Sequence, residues 1–165
     1  MSYPRYMITD DGFDADVING KVWHADGSAE AVADDGYINF LVQTNSTVSA
    51  MKTRVVANTA GAAYLTITEV GSINVAGGSE PVRNLNRIVG DGTFTGSVTD
   101  AASVSGGTGI FESMWGAAGG GPNAAGGANQ FFFVLAPNAA YEFKLQNISG
   151  GAAILDLELF ITEVN

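Results

Sequence analysis

The chain has 165 residues, 46% of them hydrophobic and 22 of them glycine, with no cysteine, one histidine, and seven Lys or Arg against seventeen Asp or Glu. That length suits one domain able to bury a core without covalent staples. The missing cysteines exclude a disulfide scaffold, a thiolate metal site and a cysteine nucleophile, and one histidine excludes a His-rich metal centre. A net charge of -10 with scattered basic residues argues against nucleic acid and against a basic membrane-surface role.

Residues 1–36 differ from the rest. They hold the acidic group Asp10, Asp11, Asp14 and Asp16 and turn signals at Asn19-Gly20, Asp26-Gly27 and Asp35-Gly36. This stretch reads as an extended N-terminal arm with at most one short strand near Lys21–His24 and a single helical turn over 28–33. Its first residues lack the apolar core of a signal peptide, so synthesis in a cytoplasm without export is expected. No segment has the ~20 apolar residues that a membrane-spanning helix requires.

From Tyr37 the pattern is β. Residues 37–43 place Ile38, Phe40 and Val42 on one face, residues 51–56 form the next strand, and residues 63–69 alternate Leu65 and Ile67 with threonines. Turns at 45–47 and 58–61 suggest that these three strands make an antiparallel meander. Further strands are expected over 93–98 and 109–115, followed by a Gly/Ala-rich flexible loop over 116–128. In Phe131-Phe132-Phe133 both faces of one strand carry an aromatic ring. Such a strand lies in the middle of a sandwich or is covered by a subunit.

The C-terminal pattern is the clearest. Tyr141, Phe143 and Leu145 alternate with polar residues, and Leu155, Leu157, Leu159 and Ile161 line one face against Asp156, Glu158 and Phe160. About eight strands and no convincing helix predict an all-β fold: a two-sheet β-sandwich of jelly-roll type over 37–165, carried behind the arm of 1–36. An up-and-down barrel is the alternative, and strand order is left open.

Chemical motifs are few. His24 lies near Asp26, but no Gly-x-Ser-x-Gly elbow accompanies them. The aspartates at 10–16 do not follow an EF-hand spacing. Neither a Walker loop nor a dinucleotide fingerprint is complete. No catalytic residue, cofactor or metal is therefore expected. Trp23 and Trp115 could supply a stacking platform for sugars.

The order Asn84-Leu85-Asn86-Arg87, then a Gly-rich loop, then Pro137-Asn138-Ala-Ala-Tyr141-Glu-Phe143-Lys-Leu145-Gln-Asn147-Ile-Ser149-Gly150, then an amphipathic last strand from Leu155 to Glu163, resembles the head decoration or cement proteins of tailed bacteriophages. In that family the 137–150 segment is a hairpin. The resemblance runs over residues 37–165 and implies a β-sandwich without catalytic residues, placed on the outer surface of the virion and bound to the major capsid protein. It also implies a homo-oligomer, a trimer in preference to a dimer because decoration proteins commonly occupy local three-fold axes. Tyr3, Arg5, Tyr6 and Met7 are the candidate capsid-binding residues, since aromatic, cationic and adaptable apolar groups are enriched at interfaces. Phe131, Phe132 and Phe133 are the candidate oligomer interface. A receptor- or carbohydrate-binding module of a phage fibre or tail is the alternative function.

Overall fold

A computed structural model describes residues 21–47, 50–59, 61–85, 94–100, 103–115 and 129–164. They form eleven strands and no helix: β1 (Val22–Val32), β2 (Tyr37–Gln43), β3 (Ala50–Thr59), β4 (Ala63–Val75), β5 (Gly78–Ser79), β6 (Arg83–Asn84), β7 (Ser97–Asp100), β8 (Ser103–Trp115), β9 (Asn129–Leu135), β10 (Ala140–Asn147) and β11 (Ala153–Val164). Two antiparallel sheets pack face to face. One has the order β6-β1-β11-β3-β9, the other β5-β7-β2-β10-β4-β8.

The core follows from period-2 alternation. In β11, Leu155, Leu157, Leu159 and Ile161 are fully buried, and in β10 Tyr141, Phe143 and Leu145 face them from the other sheet. Burying each such side chain contributes about 1.5–3 kcal/mol. A one-residue slip of either strand would turn the whole row to solvent, so register is tightly specified. The burial in β2 goes beyond the expected face, because Asn39 and Leu41 are buried along with Phe40 and Val42. Asn39 is held there by donating from Nδ2 to Glu142 Oε1 at 2.8 Å.

The long strands pair in a nested order. The first pairs with the last (β1 with β11), the second with the next inward (β2 with β10), then β3 with β9, then β4 with β8. A single long ribbon is thus rolled up, and the pairings of β3 with β11 and of β4 with β10 close the roll. Three expectations change. The strands β2, β3 and β4 are not a meander: β3 lies in one sheet and its sequence neighbours in the other. The Pro137-Asn138 turn joins no hairpin, because β9 and β10 also lie in different sheets. A short connection can cross the ~10 Å between sheets as readily as it can reverse within one. Thirdly, β1 is an eleven-residue strand paired along β11, where an arm with one short strand was expected.

Side chains tie the two ends of the sandwich. At one end Asn147 is fully buried and its Nδ2 donates to the carbonyls of Val32 (2.8 Å), Ala33 (3.1 Å) and Gly151 (2.6 Å), while its Oδ1 accepts from the Ser149 amide at 3.0 Å. At the other end the Thr44 hydroxyl donates to Ala136 O at 2.7 Å and accepts from the Ala139 amide at 2.9 Å, and Tyr141 Oη accepts from the Ala136 amide.

The paired ends of β4 and β8 leave the flat of the sheet. Only Ala76 and Gly77 separate β4 from β5, which sits four strands away, roughly 19 Å across a flat sheet. Three Cα steps cover at most about 11 Å, so the ribbon bends across the end of its own sheet. Ser72 and Ile73 accordingly line a groove with Gln43, Thr44 and Asn138. The bend is built on Gly71, Gly106 (φ 63°) and Gly107 (φ 114°), and a Cβ at Gly107 would stand 2.1 Å from Glu69 O.

Candidate interaction surface

The strand β9 ends its sheet, with β3 as its one neighbour among the described residues. Alternation sends Phe131 and Phe133 inward. Their rings lie 4.7 and 5.1 Å from that of Phe111 on β8, the edge strand of the facing sheet. Phe132 and Val134 point outward and are 59% and 71% exposed. Of the two positions that a strand apolar on both faces could take, β9 is not the central one among the described strands. The three phenylalanines divide between two tasks, with two of them closing the core between β8 and β9 and only Phe132 presented to solvent.

The neighbouring edge repeats this arrangement. Ile110 and Met114 on β8 are exposed while Phe111 turns in. Ile110 is the extra residue of a bulge, since Ile67 pairs with Phe111 and Thr68 with Gly109. One side of the sandwich, formed by β8 and β9, thus carries four of the eight large exposed apolar side chains among the described residues. β9 has no charged residue and β8 has only Glu112. Glu112 holds the Tyr64 hydroxyl above its ordinary pKa through a hydrogen bond, assisted by burial and by its charge. Lys52 is exposed beside Val134.

The charge collects on the other side. On the outer face of β1 and β11, His24 stacks on Phe160 with centroids 4.6 Å apart, and its Nε2 lies 3.1 Å from Glu158 Oε2. Its Nδ1 is 3.8 Å from Asp26, which also meets Arg83 at 3.9 Å. Nearby, Glu80 and Asp100 line a groove with Tyr37, Asn39 and Phe40. Burial, and then the charges of Asp100 and Asp26, push the Glu80 carboxyl above the ordinary carboxylate range, with Arg83 opposing. Among the described residues, no three His, Asp or Glu side chains gather as a metal site would need.

The other sequence candidates divide as follows. Tyr3, Arg5, Tyr6 and Met7 lie outside the described residues, as do the aspartates at 10–16, Asn86, Arg87 and the 116–128 segment. Trp23 is buried and packs on Phe94, 5.8 Å between centroids, so it offers no platform for a sugar. Asn84 belongs to β6 and pairs with Trp23, and the Leu85 amide donates to Val22 O. Sequence reasoning passed over Ile110 and Met114. The signal was the alternation Ile110, Glu112, Met114 around Phe111 and Ser113, which a half-buried edge strand produces.

Compared with known proteins, the chain matches no family model and no curated protein.

Proposed function

We propose that this protein is a structural module of a tailed-phage virion, a decoration protein that binds the outer surface of the assembled head and associates with copies of itself. The observation that carries the self-association is the segregation of charge. The chain bears -10, yet among the described residues strands β8 and β9 have one carboxylate and four exposed apolar side chains. Identical acidic molecules repel one another everywhere except where their charges are missing. The choice of the head rests on the resemblance of residues 37–165 to decoration proteins, with a jelly roll as our reading of the nested strand order. The acidity favours the outside of the shell, away from packaged DNA. A ligand that binds only the assembled shell stabilises it by mass action, and an oligomer spanning several capsid subunits adds avidity.

The test uses purified full-length protein and tailed-phage heads that lack decoration. The expected result is cosedimentation with heads, absence of binding to free capsid subunits, and a higher temperature for head rupture. Failure to bind heads, together with binding on a glycan array, would instead establish the receptor- or carbohydrate-binding alternative.

A further inference from the structure

We infer that β9 pairs antiparallel with β9 of a second copy, about a two-fold axis at Phe132, so that two five-stranded sheets join into one. This rests on the self-association proposed above and specifies its geometry. The first argument is chemical. The edge of a sheet presents backbone amides and carbonyls, and what satisfies them is another extended chain. Natural edge strands are usually protected by charge, proline, a bulge or short length. Asn129–Leu135 has seven residues with none of the charged or proline types, and its pairing with β3 runs without a register shift.

The second argument is self-complementarity. Antiparallel pairing centred on Phe132 sets Phe131 opposite Phe133 of the second copy, and Phe133 opposite Phe131. Both pairs fall on the inner face, where each copy already packs Phe111 against these rings. The two aromatic clusters then become continuous across the axis. On the outer face Phe132 meets Phe132 of the second copy. Cross-strand aromatic pairs of this kind stabilise a sheet.

The third argument is electrostatic and selects a copy of this chain over an unrelated basic or acidic partner. The strand has no charge to attract either, and the acidic face of β1 and β11 is separated from it by β3. A contact of this kind is isologous and gives a closed pair. The trimer expected by analogy with capsid three-fold axes requires a different contact.

The chain has no cysteine, so Phe132→Cys places the only thiol at the proposed axis. Directly opposed residues have Cβ atoms ~4.5–5.5 Å apart, close enough for a disulfide after small adjustment. Mild oxidation is expected to convert most of this variant to a covalent dimer, while Ile154→Cys, comparably exposed but six residues along β11 from the level of Phe132, stays monomeric on a non-reducing gel. By sedimentation the unmodified protein should have twice its 17.0 kDa chain mass, about 34 kDa, and Phe132→Lys should fall to the monomer with an unchanged circular dichroism spectrum. A monomeric or trimeric unmodified protein, or equal cross-linking at 132 and 154, overturns the inference. Head binding is scored separately. A dimer that ignores heads leaves this inference standing and removes the decoration reading, and a head-binding trimer does the reverse.

Discussion

Asn147 is the residue on which most local structure converges, because its amide closes two turns at once, 33–36 and 148–151. Its backbone takes part as well: the Asn147 amide donates to Gly36 O and its carbonyl accepts from the Asp35 amide. Asn147→Ala leaves the carbonyls of Val32, Ala33 and Gly151 and the Ser149 amide without this partner, so a loss of about 2–4 kcal/mol is expected in urea unfolding. Asn147→Asp should be worse, since a carboxylate would then face the carbonyl oxygens of Val32 and Gly151. Glu80 makes the opposite case. Its carboxyl is raised above its ordinary value by burial and by Asp100 and Asp26. The folded state therefore holds this proton more tightly than the unfolded chain, and Glu80 destabilises the fold once pH rises above its raised pKa. Glu80→Gln is expected to stabilise the protein slightly at pH 7 and to have no such benefit below the ordinary glutamate range. Unfolding midpoints of both proteins across pH 4–8 check the sign.

At the scale of elements, the bend in the β4–β8 ribbon separates two uses of glycine. Gly107→Ala would force a Cβ into Glu69 O at a positive φ, and a loss of at least ~2 kcal/mol is expected. Gly109→Ala meets open space and should be neutral within about 0.5 kcal/mol. Thermal melts of the two variants side by side separate these outcomes. The same glycines explain how far the strands could be read in advance. Residues 63–69 and 109–115 were legible because alternation is clean there, but the strands run on to Val75 and back to Ser103. Those expected strands stop short of Gly71, Gly106 and Gly107, which form a corner within a strand pair. β1 was hidden in the same way. Asp26-Gly27 has turn chemistry, yet Gly27 lies in mid-strand because Phe40 Cζ approaches to 2.7 Å of where its Cβ would be. β10 and β11 as far as Ile161 were legible, since their period of two is unbroken there; beyond it Thr162 and Glu163 are buried as well. Partner choice was not, because pairing depends on residues more than a hundred positions apart. Of the candidate surface, the triple phenylalanine was visible as a motif. Its division into Phe111-packed and solvent-facing rings required knowing that β8 lies opposite.

For the whole molecule, the proposed role joins a β-sandwich that starts at Val22 to the residues before it. Deleting residues 1–9 removes Tyr3, Arg5, Tyr6 and Met7 and none of the paired strands. The truncated protein is expected to keep its circular dichroism spectrum and melting temperature and to lose most of its affinity for undecorated heads. Binding at full-length affinity would assign the capsid contact to the sandwich instead.

The nested pairing also sets a timetable. The last of the eleven described strands, β11, is the middle strand of its sheet, lying between β1 and β3. While the chain emerges from the ribosome, nothing among the described strands links β1 to β3 until residues 153–164 arrive. Such distant pairing makes folding slow and leaves apolar strands uncovered in the meantime. A chain cut short before that strand would therefore lose the centre of a sheet and with it the fold, so this sandwich closes only after translation has passed β11.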